Sequence, residues 1–188
     1  MALTTLDPKT ALIVVDLQKG IVGLPTAHPT GDVVKRAAEL ADAFRGHNLP
    51  VVLVTVGGGA PGRTEQAPRA GGERPADWAE LVPELKQQGG DHTVMKMTWG
   101  AFTNTGLDEH LKNAGVTQLV VVGVATSVGV EATARQAYEH GFNVTLAVDA
   151  MTDMSAESHA HSLSRVFPRL GESGTTADVI ALLAATRA

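Results

Sequence analysis

The chain has 188 residues, 44% of them hydrophobic and 19% charged, with a formal net charge of −5. That balance suits one globular domain over residues 1–188 with a sizeable core, and the absence of a basic run favours a small-molecule partner over nucleic acid or an acidic membrane. Cysteine is absent altogether, which excludes disulfides, thiolate metal sites and cysteine nucleophiles.

The N-terminal MALTTLDPKT has no cationic segment leading into an apolar one, and no apolar run approaches a membrane span, so a cytoplasmic protein is expected. Residues 11–15 (ALIVV) then read as a buried strand ending in Asp16. A carboxylate there sits at the carboxyl edge of a sheet. The DLQKG that follows is a poor helix cap, because no clear helix starts before about Asp32, so Asp16 reads as functional. From Asp32 apolar residues recur at helical spacing through Phe44 to Gly46, and Pro50 leads into a strand over residues 51–56.

Between Val56 and Trp78 lies a Gly- and Pro-rich stretch carrying Arg63, Arg69 and Arg74. It contains G-x-G-x-x-G at Gly57, Gly59 and Gly62. Pro61, Pro68 and the lack of apolar periodicity mean that no helix opens there to hold a pyrophosphate, so no dinucleotide is expected. A long loop at a carboxyl edge is commonly a lid or an excursion. Its arginines either pair with a substrate carboxylate or are simply solvated.

Residues 92–97 (HTVMKM) read as a strand in which core-type residues flank Lys96. A lysine inside a short strand needs a carboxylate or a polar crevice, and Asp16 on a neighbouring strand suits it. Trp99, Ala101 and Phe102 supply either an apolar wall or core. A helix over residues 107–114 ends at Gly115, and residues 119–124 form a strand buried on both faces. Beyond Ala125 the spacing becomes helical, with Glu131 and Arg135 as an i,i+4 pair, until Gly141 precedes a strand over residues 143–148.

The turn over residues 125–128 thus joins a strand's carboxyl end to a helix's amino end. Open parallel sheets place ligands at such junctions, although an ordinary strand-turn-helix has the same pattern. Asp149, closing the next strand, reads as a loop hydrogen-bonding group. His159 and His161 are two apart within a helical stretch over residues 156–167, so they diverge and form no metal pair. A last helix covers residues 176–185. Repeated helix-glycine-strand units predict a doubly wound α/β domain.

TALIVVDLQKGI at 10–21, VMKMTWGAF at 94–102 and GVATSVGVEATARQAYEHGF at 123–142, with DAMTDMSAESH at 149–159, resemble the signature regions of the isochorismatase-like hydrolases, or cysteine hydrolase superfamily. The resemblance spans nearly the full length. It implies a six-stranded, mostly parallel sheet with helices on both faces in a Rossmann-type three-layer sandwich, and a homodimer or larger homo-oligomer. In most members an Asp, a Lys and a Cys form a catalytic triad; the motifs match Asp16 and Lys96 to the first two, and Gly129 to the Cys. Thioester chemistry therefore has no nucleophile here. No Asp-x-His stands where the nicotinamidase-like metal pattern would lie, so neither metal nor other cofactor is expected.

The resemblance narrows to members with Gly in the Cys position, including isochorismatases, which cleave a vinyl ether by protonating carbon and need no thiol. Burial raises the pKa that an acid role for Asp16 requires, whereas the Lys96 ammonium lowers it. Gly129 leaves a gap for substrate or water, and the N–H groups of Ala125 and Gly129 suit a substrate oxygen. Members also commonly have a cis peptide before this Ala, here Val124–Ala125. The Gln-Pro-Gly type sequence expected after the second strand is replaced by residues 57–62 (GGGAPG), so the substrate is open.

The expected function is hydrolysis of a small carboxylated molecule, with Asp16, Lys96 and Gly129 catalytic and with Ala125, Thr126, Ser127, Trp99, Phe102 and Arg63 against the substrate. Ser127 or Thr126 as a replacement nucleophile is a variant. The competing expectation is a catalytically retired member that binds a metabolite or partner protein.

Overall fold

The computed structural model describes residues 3–65 and 74–186. Six strands, β1 (Thr10–Val15), β2 (Val51–Val56), β3 (His92–Lys96), β4 (Gln118–Val124), β5 (Asn143–Thr152) and β6 (Glu172–Gly174), form one sheet in the order β3-β2-β1-β4-β5-β6. Every pairing is parallel. The unbroken apolar runs of β1, β2 and β4 follow from this, because both faces are covered and successive side chains enter opposite cores.

On one face Leu12, Val14, Leu53, Val120 and Val122 pack against α2 (Thr30–Gly46) and α6 (Thr176–Thr186). On the other, Ile13, Val15, Val52, Val54 and Val121 meet α3 (Leu107–Asn113) and α4 (Glu131–Glu139).

Strand order reverses between β1 and β4, the central parallel pair, and this opens a crevice at their carboxyl ends. Two local features shape it. Gly123 has φ 121°, and a Cβ there would lie 2.0 Å from the Val15 carbonyl oxygen, so only glycine lets β4 approach β1 so closely. Asp16 has φ 55°, a left-handed conformation that Asp tolerates better than most residues, and it turns the chain out of β1.

Several expectations need correction. A short helix, α1 (Lys19–Val22), directly follows Asp16, and α2 begins at Thr30 instead of Asp32. The left-handed residue after α2 is Asn48 (φ 55°), not Gly46, which remains helical. β5 does not stop at Asp149. A register irregularity lets it resume opposite Gly123 and Val124 and run to Thr152. Asp149 accepts from Thr176 N–H at 2.7 Å and so anchors α6. In β3 the burial is inverted: Met95 and Met97 are 60% and 55% exposed while Lys96 between them is 1% exposed. An edge strand shows one row of side chains to solvent, and here the lysine takes the inner row.

Candidate active site

The crevice holds a cavity of about 250 Å³ lined by Asp16, Lys96, Ala125 and Gly129, with Ile21, Leu24, Trp78, Trp99, Val128 and Met154 as apolar wall. Arg74 also lines it. Three strand ends build it. β1 delivers Asp16, β3 delivers Lys96, and β4 delivers the turn through the Val124–Ala125 peptide, which is cis.

Lys96 Nζ lies 2.7 Å from Asp16 Oδ2, with side-chain exposures of 1% and 7%, and it also donates to the Thr98 carbonyl at 3.3 Å. Asp16 Oδ1 is buried and has no hydrogen-bond partner among the described residues. Burial pushes the Asp16 carboxyl up to about 6, and this outweighs the attraction and hydrogen bond of Lys96, which lower it. The pair therefore holds a carboxyl group that keeps its proton to well above the ordinary carboxylate range, with one oxygen uncommitted among the described residues.

Beyond Ala125 the chain enters a single π-type turn, Thr126–Val130, in which the Ala125 carbonyl accepts from both Val128 N–H and Val130 N–H at 3.1 Å. A Cβ on Gly129 would lie 3.1 Å from Asp16 Oδ2 and 3.1 Å from Val15 Cγ1. Gly129 lines the cavity, and a Cβ added there would crowd the Asp16 carboxyl.

The turn is held from behind. Thr126 is fully buried and its hydroxyl shares a 2.8 Å hydrogen bond with His159 Nδ1, while Ser127 N–H donates to Asp153 Oδ2 at 2.7 Å. Neither Thr126 nor Ser127 lines the cavity. A threonine beside a histidine has the makings of an activated nucleophile, but this hydroxyl faces inward, so its geometry is that of a support. His159 is held below its ordinary pKa by burial first and then by neighbouring His28, with Asp153 opposing.

Of the other expected contacts, Trp99 lines the cavity, but Phe102 does not. It is 5% exposed, belongs to the core and stacks on His140. Arg63 is exposed and away from the lining, Arg74 takes its place, and Arg69 and Pro68 lie outside the described residues. Sequence reasoning missed Trp78, Ile21, Leu24 and Met154. Trp78 follows a Pro/Gly loop and Met154 a strand end, positions whose contacts no periodicity reports. Among the described residues no three potential metal ligands cluster.

A 3-2-1-4-5-6 parallel sheet with a buried carboxyl–ammonium pair at its switch point defines an α/β protein built to hold a small molecule between strand ends. The chain belongs to the isochorismatase family, since residues 10–178 match the isochorismatase domain. It is 45% identical over 178 residues to the uncharacterized isochorismatase family protein YwoC of Bacillus subtilis (strain 168), covering 92% of this chain and 93% of that one. It is 37% identical over 179 residues to the uncharacterized isochorismatase family protein YecD of Escherichia coli O157:H7, covering 91% and 94%. The structure of an isochorismatase family protein from Burkholderia thailandensis superposes with a TM-score of 0.91 at 41% identity, covering 96% of this chain and 98% of that one.

Proposed function

We propose that this protein hydrolyses a small carboxylated molecule without a nucleophilic thiol, using Asp16 as general acid. The observation that carries this reading is the buried Asp16 carboxyl, raised to about 6 and with Oδ1 unpartnered beside the cavity. Gly129 stands at the position where most of the family has its cysteine, and the whole chain contains none. For a vinyl ether R–O–C(=CH₂)–COO⁻, Asp16 gives its proton to the terminal methylene carbon. The π electrons form the new C–H bond, and an oxocarbenium ion results. Water adds to it, the hemiketal expels R–OH, and a 2-oxo acid with a methyl group is released. The carboxylate left on Asp16 is stabilised at once by Lys96, 2.7 Å away, and regains a proton from the water that was added. Ala125 and Gly129 line the cavity and offer backbone N–H groups to a substrate oxygen.

Purified protein given isochorismate is expected to release pyruvate, and Asp16→Asn is expected to slow release by roughly 10²–10⁴-fold. Failure of the wild type to consume isochorismate, other vinyl ethers or activated esters would overturn this reading. The missing thiol equally motivates a retired binding protein. A metabolite that raises the melting temperature and is recovered unchanged would support that alternative.

A further inference from the structure

The cavity contains three charged side chains, and two of them, Asp16 and Lys96, engage each other. Arg74 is the third. Among the described residues no carboxylate pairs with it. Its Nη1 donates to the Gly57 carbonyl at 2.7 Å, and its guanidinium carbon lies 4.2 Å from the centre of the Trp78 ring.

Trp78 in turn rests against Gly20, so closely that a Cβ on Gly20 would fall 2.1 Å from both Trp78 Cδ1 and Nε1. The Trp78 carbonyl accepts from Gly20 N–H at 3.0 Å and from the buried Gln18 Nε2 at 3.2 Å. Lys19 Nζ adds ion pairs to Asp77 and Glu80 at 3.0 and 2.7 Å. The segment carrying Arg74 is therefore fastened to Gln18, Lys19 and Gly20, just after Asp16.

We propose that Arg74, positioned by Trp78 on Gly20, recognises the carboxylate of a small ligand whose remaining body is largely apolar. A guanidinium held over an indole by a cation–π contact and by one bond to a backbone carbonyl keeps further N–H groups for a carboxylate, and these contacts restrict its position before the ligand arrives. Such preorganisation lowers the ordering cost of binding. The rest of the lining matches an apolar body, through Ile21, Leu24, Trp99, Val128 and Met154. The volume of about 250 Å³ falls below the roughly 300–1,000 Å³ of drug-sized sites, which disfavours nucleotides and peptides. Gly20 is the hinge of the arrangement, because any side chain there displaces the indole.

This inference rests on the proposed function for the location of the substrate site, but not for its chemistry, so binding alone tests it. The probes are benzoate and its neutral isostere benzamide, titrated calorimetrically at pH 7 into the wild type, Arg74→Ala and Gly20→Ala. Benzoate is expected to bind at least tenfold more tightly than benzamide. Arg74→Ala, a change at an exposed position, is expected to abolish that preference and leave benzamide affinity unchanged. Gly20→Ala, which keeps every charge, is expected to weaken benzoate at least threefold. Equal affinities in the wild type, binding of neither probe, or a preference that persists in Arg74→Ala would overturn the proposal. An Arg74-dependent preference without turnover of isochorismate, other vinyl ethers or activated esters leaves the inference standing and removes the proposed function; turnover indifferent to Arg74→Ala does the reverse.

Discussion

A carboxyl group 2.7 Å from an ammonium ordinarily ionises more readily, yet Asp16 is pushed up to about 6 because burial is the larger effect. The consequence for stability has a definite sign. Between the unfolded value of 3.8 and about 6 the folded protein binds the extra proton, so this contribution is fully present below pH 3.8 and is lost as pH rises through 6. The loss amounts to roughly 3 kcal/mol. Urea denaturation from pH 4 to 8 is expected to show this decline in the wild type and a shallower one in Asp16→Asn; identical slopes would contradict it. Gly129 is constrained by the same carboxyl. Gly129→Ala puts a Cβ 3.1 Å from Asp16 Oδ2, and it is expected to cost about 1 kcal/mol by overpacking and to lower turnover at least tenfold. Gly129→Cys is expected to gain no amidase activity, because the Cβ that carries the thiol crowds Asp16 Oδ2. Amide hydrolysis by that variant would refute this.

The strands that carry the site were legible because they are long and buried on both faces, as in ALIVV, VVLVTV and LVVVGV. Asp16 was legible as a charge at the end of such a strand, and Lys96 as a lysine inside the short strand read over residues 92–97. β6 (Glu172–Gly174) was not, since three half-buried residues at a sheet edge have no pattern to read. The Met95 and Met97 exposure was misread because apolarity was taken for burial, although Lys96 is the residue in the inner row. Most hidden was the support behind the Thr126–Val130 turn, contacts from Asp153, just past β5, and from His159 in α5 (Ala156–His161), 26 and 33 residues away in sequence. Thr126→Val keeps the volume but leaves His159 Nδ1 without its partner, so it is expected to destabilise by about 1–3 kcal/mol. An unchanged denaturation midpoint would show that the turn stands without this bond.

The whole molecule concentrates its chemistry at one place because strand order reverses only once, between β1 and β4. Among the described residues no helix is long and apolar enough to cross a membrane. Met95, Met97 and Trp99 expose apolar surface on and just beyond the edge strand β3, which fits the homo-oligomer expected from the sequence resemblance. Light scattering is expected to give at least twice the 19.5 kDa chain mass, and a monomer would contradict it. The account as a whole depends on the Asp16 carboxyl being held well above the ordinary carboxylate range despite Lys96. Carbon-13 NMR titration of the Asp16 carboxyl, assigned by comparison with Asp16→Asn, measures this without any assumption about substrate. A midpoint near 6 is predicted; a midpoint below 4 would mean that the ion pair prevails and that Asp16 cannot serve as the acid.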